Sequence, residues 1–255
     1  MTLRTLLYLA VVFFTFVMFP SAIGANTQKS PLVDIGEIDN SMFVDMRYFG
    51  TWNFLGRNLK SYKSNKCLLS SPAAKALKSV QSDVQKQGLS LLVLDCYRPQ
   101  SAVNEFVAWA RDDDDQKMKK IFFPMETKSK LFERGFIASQ SGHSRGSTID
   151  LTLIDLKKVK MEKAVDEFRE PEIDCREGLP KDSNNPQLDM GSFYDCFSEV
   201  SHMGFKKISL TAQKNRILLK SLMEKHGFKS YAKEWWHYTL KKEPYPNSYF
   251  DFPVE

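Results

Sequence analysis

The sequence predicts a single α+β domain. Helix-period and strand-like segments alternate along it, no internal repeat or Gly/Pro/Ser-rich linker divides it, and 255 residues suffice for one sizeable core. At 42% hydrophobic and 26% charged residues, the composition is that of a globular protein and not of a disordered one.

At the amino terminus, Arg4 precedes an apolar run from Leu6 to Phe19, followed by Pro20 and the small-residue segment Ser21-Ala22-Ile23-Gly24-Ala25. That order is the pattern of a secretory signal peptide. A run of fourteen residues is short for a bilayer-spanning helix, which needs about 20. Cleavage is expected after Gly24, with Ala22 at the small position before it, leaving residues 25–255 as a periplasmic or secreted domain; a retained segment would instead tether the chain. No cysteine lies near the cut, which argues against a lipid anchor. Losing residues 1–24 removes one cation, Arg4, and no acid, so the formal charge falls from +5 to +4. With its lysines scattered, the chain carries no electrostatic footprint for nucleic acid.

Ser71 with Pro72 reads as an N-cap and first helical position, and Ala73, Leu77, Val80 and Val84 recur at helical spacing until Gly88. A buried strand, Leu89 to Leu94, follows and ends abruptly in Asp95-Cys96-Tyr97-Arg98-Pro99, where polar groups are delivered to a strand end. A second helix starts near Ser101 with Val103, Phe106, Val107 and Ala110 on one face. The acidic run Asp112 to Asp115 lacks EF-hand spacing and glycine and reads as a solvated loop. Ile149 to Ile154 reads as a strand, Lys157 to Asp189 as a polar surface insertion, Thr211 to His226 as a helix capped by Thr211 and closed by Gly227, and Trp235 to Leu240 as a last strand.

Four cysteines in an exported chain favour disulfides. Of three possible pairings, Cys67 with Cys96 and Cys175 with Cys196 are preferred because each closes a moderate local loop.

The chain has four histidines: His143, His202, His226 and His237. His226 belongs to a helix end, where a cationic ring complements the dipole. His143 lies in Ser141-Gly142-His143-Ser144-Arg145-Gly146-Ser147-Thr148-Ile149-Asp150, where a loop histidine and a strand-start carboxylate can face one cleft. Catalytic zinc takes three protein ligands of this type and keeps an open position for water. Glu234-Trp235-Trp236-His237 offers the third ligand, with an acid three residues earlier that can act as general base toward that water. Either fragment alone is as readily an ordinary hydrogen bond or a chance pattern.

These residues, together with Asp95-x-Tyr97-Arg98-Pro99, Asp189-Met190-Gly191, Asn215-Arg216 and the ending Pro244-Tyr245-Pro246-Asn247-Ser248-Tyr249-Phe250-Asp251-Phe252-Pro253-Val254, resemble the D-alanyl-D-alanine dipeptidase family. These are the VanX-type zinc peptidases, related to D-Ala-D-Ala carboxypeptidases and Hedgehog amino-terminal domains. The resemblance runs through most of the mature chain, and so many ordered motifs exclude coincidence. It implies a central, mainly antiparallel sheet flanked by helices, with one zinc ion on His143, Asp150 and His237. It further implies Glu234 as catalytic base and Arg98 as the cation facing the developing oxyanion, a role the chemistry also asks for. A simpler role for Arg98, pairing with Asp95 to hold the turn, is compatible with that one. Asp195 falls on the family's anchor for the substrate ammonium, and Tyr48, Ser141 and Asp95 on residues lining or supporting that pocket.

Three features depart from the family: Cys96 stands where a glycine is common, the 157–189 insertion is long and could form a lid, and the chain carries an export signal. The expected activity is hydrolysis of D-Ala-D-Ala to two D-alanines outside the cytosol, in recycling or scavenging of wall-derived dipeptide. The alternatives are a carboxypeptidase acting on larger muropeptides and a zinc-stabilised binding module, the latter disfavoured by the presence of both Glu234 and Arg98.

Overall fold

The computed structural model describes residues 30–159, 168–181 and 183–255. The expected signal segment, residues 1–24, lies outside them. Pro31–Glu255 cluster as one compact unit. The elements run β1 (Leu32–Asp34), α1 (Ile35–Ile38), β2 (Phe43–Val44), β3 (Leu68–Ser70), α2 (Ser71–Gln85), β4 (Leu89–Asp95), α3 (Gln100–Arg111), α4 (Lys119–Phe122), α5 (Leu131–Arg134), β5 (Thr148–Asp155), α6 (Leu210–Lys225), β6 (Phe228–Tyr231) and β7 (Glu234–Leu240). Among the described residues no helix is long and apolar enough to cross a membrane.

Five strands form the central sheet in the order β2-β4-β5-β7-β6, and β1 pairs with β3 separately. Only the β2–β4 pairing in the sheet is parallel. The central strand β5 is buried along Thr148–Ile154, its polar residues Thr148, Asp150 and Thr152 as well as its apolar ones, as expected of a strand covered on both faces. Helix α2 packs on β4 and α6, burying Ala73, Ala74, Leu77, Val80 and Val84. Between these apolar contacts, Gln81 satisfies the strand's polar groups: its Oε1 accepts from Leu91 N at 3.0 Å and its Nε2 donates to Ser90 Oγ at 2.8 Å.

Two caps differ from the expectation. Helix α2 begins one residue earlier than expected, with Ser70 in the cap position and Ser71 already helical. Ser70 makes no side-chain cap bond because its Oγ shares a hydrogen bond with Ser147 Oγ, 2.8 Å away. In α6 the cap is Ser209, not Thr211, and its Oγ accepts from Ala212 N at 3.0 Å. His226 caps the other end of α6, where its Nε2 lies 2.8 Å from Asp83 Oδ2.

Both preferred disulfides are present, with Cα–Cα distances of 5.3 Å for Cys67–Cys96 and 5.5 Å for Cys175–Cys196. The second ties the insertion to the segment after Asp189. The insertion's residues 160–167 and 182 lie outside the described set. Its remainder is less superficial than its polarity suggests: the Glu170 side chain is buried and accepts from Arg47 Nη1 at 2.6 Å, Trp52 Nε1 at 2.9 Å and Gln187 Nε2 at 3.0 Å. The Arg47 charge opposite it makes that burial tolerable.

Candidate metal centre and active site

The strand register assembles the site. Asp150 on β5 pairs with His237 on β7 and with Asp95 on β4, so the three side chains form one row across the sheet. Asp95 joins this row through a bulge: Val93 pairs with Leu151 but Asp95 pairs with Asp150, and Leu94 is the extra residue. A second irregularity brings in Glu234. Glu and His three apart would face opposite sides of a regular strand. Here Ser230 pairs with Tyr238 and Tyr231 with Glu234, leaving Trp235, Trp236 and His237 unmatched on β6, so the strand turns and Glu234 meets His237.

His143 arrives from a tight turn at Gly142–Arg145. Ser141 caps this turn, its Oγ accepting from His143 N at 3.2 Å. Gly146 ends it with φ +71°, and any Cβ there would collide with Leu32. Arg145 anchors its outer side in a two-point ion pair with Glu243, at 2.8 and 2.9 Å.

The three atoms facing inward are His143 Nε2, His237 Nδ1 and the Asp150 carboxylate. His143 Nε2 is 3.3 Å from His237 Nδ1 and 3.2 Å from Asp150 Oδ2, and His237 Nδ1 is 3.1 Å from Asp150 Oδ1. On the opposite edge of the His143 ring, Nδ1 lies 2.6 Å from the Cys96 carbonyl oxygen. A carbonyl only accepts, so Nδ1 carries a hydrogen, and Nε2 is the ring nitrogen turned toward the other two side chains. Three atoms that can each ligate a metal thus converge to within 3.3 Å of one another. Asp150 Oδ1 is buried without a hydrogen-bond partner. Tetrahedral zinc with ligand distances of about 2.0–2.1 Å would place its donor atoms about 3.3 Å apart. The donor set therefore fits a divalent metal, and this group is a candidate metal site by composition and proximity.

Glu234 Oε2 is 3.3 Å from His237 Nδ1, and 20% of its side chain remains open. Burial pushes its carboxyl up to about 7, with the His237 ring opposing that rise; a bound dication would lower it. Burial works against the charge on His237, but the Asp150 carboxylate prevails and raises its pKa. Arg98 donates through Nε to Asp95 Oδ2 at 2.9 Å, with Nη2 2.8 Å from the same oxygen. Its guanidinium carbon stands 5.1 Å from the Tyr48 ring centre and 4.8 Å from that of Phe106. Arg98 thus both holds the turn and presents its fork to the cavity.

That cavity, about 270 Å³, is lined by Arg98, His143, Asp150, Glu234 and His237, by Tyr48, Ser141 and Asp195, and by apolar rings including Phe106, Phe136 and Phe197. Tyr48 Oη donates to Asp195 Oδ2 at 2.7 Å. Burial pushes the Asp195 carboxyl well up, although the Tyr48 hydrogen bond opposes this. Asp195 is also the only described non-glycine residue with positive φ, at +58°.

Over residues 28–185 and 176–255 the sequence matches the D-ala-D-ala dipeptidase family. The chain belongs to that family. It is 37% identical over 222 residues to the D-alanyl-D-alanine dipeptidase of Enterococcus faecium, covering 87% of this chain and 96% of the relative. Against that of Enterococcus faecalis it is 37% identical over 207 residues, 81% and 90% of the two chains. Against that of Streptomyces coelicolor it is 34% identical over 221 residues, 86% and 96%. The chain is accordingly a metallopeptidase, and its central sheet has the mainly antiparallel arrangement expected from the family.

Within this family member, one expectation narrows and another changes. Asp95 does not line the cavity: it is fully buried behind Arg98, accepting from Arg98 and from Tyr62 Oη at 2.7 Å, so its part is to support. No described residue of 157–189 lines the cavity, so that part of the insertion forms no lid. The sequence reading missed the Cys96 carbonyl, which no side-chain pattern can signal. It also missed Tyr194, Tyr231 and Trp236, aromatic residues indistinguishable from core by composition. Arg216 has a structural role: it is buried and donates to Met190 O at 2.6 Å, His202 O at 2.8 Å and Val200 O at 2.8 Å, clamping the loop that carries Asp195.

Proposed function

We propose that this chain hydrolyses free D-Ala-D-Ala to two D-alanines, using zinc held by His143, Asp150 and His237. The cluster of three inward-facing ligand atoms beside Glu234 carries this reading. Zinc supplies a Lewis acid and lowers the pKa of water in its open position to about 7.

Glu234, at the cavity wall, takes one proton from the attacking water as the new C–O bond forms. It returns that proton to the leaving nitrogen as the C–N bond breaks, and the water's second proton follows to the same nitrogen, so that one product leaves as a carboxylate and the other as an ammonium. Arg98 holds its positive charge where the carbonyl oxygen becomes negative, and its pairing with Asp95 keeps the fork oriented before reaction begins. Asp195, paired with Tyr48, offers a carboxylate to the substrate ammonium. A cavity of about 270 Å³ lies just under the range of about 300–1,000 Å³ usual for small-molecule sites. This favours a free dipeptide over the terminus of a larger muropeptide.

The amino-terminal pattern of Arg4, Leu6–Phe19 and Ser21–Ala25 supports export, removal of residues 1–24, and a role in recycling wall-derived dipeptide. Sequencing the amino terminus of protein recovered outside the cytosol should find Ala25 first. The activity is tested with D-Ala-D-Ala, L-Ala-L-Ala and a pentapeptide ending in D-Ala-D-Ala, each with and without chelator and beside Glu234→Gln. The expected result is chelator-sensitive turnover of the free D,D-dipeptide, reduced about 10²- to 10⁴-fold in Glu234→Gln with metal content unchanged. Preferential turnover of the pentapeptide would favour the carboxypeptidase reading, and no turnover by metal-loaded wild type would end both.

A further inference from the structure

The geometry points to Tyr194 as a positioning residue that holds one oxygen of the Asp150 carboxylate and leaves the other free for the metal. This rests on the reading that His143, Asp150 and His237 hold a divalent ion. Tyr194 Oη lies 3.1 Å from Asp150 Oδ2 and 3.3 Å from Tyr48 Oη, in donor geometry to both. Tyr48 commits its own hydrogen to Asp195 at 2.7 Å. With one hydrogen to give, Tyr194 bonds best to the carboxylate, because a hydrogen bond to a charged acceptor is the stronger. The two Asp150 oxygens therefore differ: Oδ2 accepts from a phenol, while Oδ1 is buried with no hydrogen-bond partner. A carboxylate free to rotate could present both oxygens to a metal, and this one is pinned at a single rotation.

The surrounding chain explains why Tyr194 can do this. Arg216 fixes the backbone at Met190, and Trp235 Nε1 donates to Ser192 Oγ at 2.9 Å. Phe193 packs with Cys175 and Cys196 away from the site. The Tyr194 ring sits edge-on to Trp236, 5.4 Å between centres. The left-handed turn at Asp195 then directs two consecutive side chains inward, Tyr194 to the metal carboxylate and Asp195 to the cavity.

Tyr194→Phe keeps the ring and removes one hydroxyl. Metal affinity should be measured by competition with a chromophoric chelator, and coordination by the visible spectrum of the cobalt-loaded protein. We expect metal affinity to fall about 10- to 100-fold, the range typical for loss of a group orienting a ligand, with an altered cobalt spectrum and an unchanged apo circular dichroism spectrum. Tyr48→Phe, which removes the donor to Asp195 but leaves Asp150 held, should bind metal like wild type while raising KM for the dipeptide. Wild-type metal affinity and cobalt spectrum in Tyr194→Phe would overturn this assignment alone. Failure of the wild type to bind metal would overturn the site reading and this assignment with it.

Discussion

The two disulfides have similar stabilising power but different positions relative to the chemistry, so removing each should separate stability from function. Cys67 and Cys96 are 29 residues apart, and Cys175 and Cys196 are 21 apart. The chain-entropy relation for such loops gives about 3.6 and about 3.3 kcal/mol of stabilisation respectively. The cysteines are buried, so Cys67→Ala/Cys96→Ala and Cys175→Ala/Cys196→Ala each add a small cavity cost. Urea unfolding of the two double variants should therefore show nearly equal losses. Their functional effects should diverge. The Cys96 carbonyl holds His143 Nδ1, so losing the first bridge loosens a ligand and should weaken metal binding about 10-fold or more. Cys196 follows Asp195, so losing the second should raise KM while leaving metal affinity near wild type. Equal effects of both variants on metal affinity would refute this division. A stability loss below about 1 kcal/mol in either would refute the entropic argument.

Three further outcomes follow from buried charges. In Glu170, burial raises the carboxyl pKa but the Arg47 charge and hydrogen bonds prevail and lower it. Its contribution is thus full above the unfolded pKa and lost as pH falls through the lower folded value; Glu170→Gln should cost about 3 kcal/mol at pH 7, with the difference vanishing in acid, as read by urea titrations at several pH values. Asp195 shifts the other way, so its carboxylate is neutralised as pH falls through a raised pKa, and KM for the dipeptide should rise with it. Asp195→Asn should abolish that limb and raise KM about 10- to 100-fold; a KM profile identical to wild type would count against the ammonium role. Arg98→Lys cannot keep both the Asp95 pairing and the fork, so kcat should fall about 10²- to 10³-fold at constant metal content, and a change under threefold would remove it from the oxyanion role.

Much of this was legible because the sequence signals are local. Ala73, Leu77, Val80 and Val84 do form the buried stripe of α2, and Leu89 to Leu94 do form a buried strand, because each pattern reports one face of one element. His143, Asp150, Glu234 and His237 could be read as one chemical set because few histidines exist to choose among. What stayed hidden depends on relations between elements. Glu170 looks like one more acid in a polar insertion until Arg47, 123 positions away, meets it. Tyr194 looks like core until the turn at Asp195 directs it to Asp150. The cap of α2 was misplaced by one residue because Ser70 and Ser71 are equally good caps in sequence, and only the bond to Ser147 shows what Ser70 does.

The site itself sits where regular pairing fails. If β4 paired without its bulge, Leu94 would stand opposite Asp150, and Asp95 would face away from Arg98's working side. If β7 kept register with β6, Tyr231 would pair with His237, and Glu234 would point to the opposite face from its histidine. Both departures flank β5, whose buried, regular pairing supplies the fixed reference for Asp150. A period-based reading assumes the regularity that the site breaks, so it can place the strands and still give Asp95 and Glu234 the wrong faces. The motif Glu-x-x-His is informative for that reason: on a strand its spacing makes sense only if the strand bends.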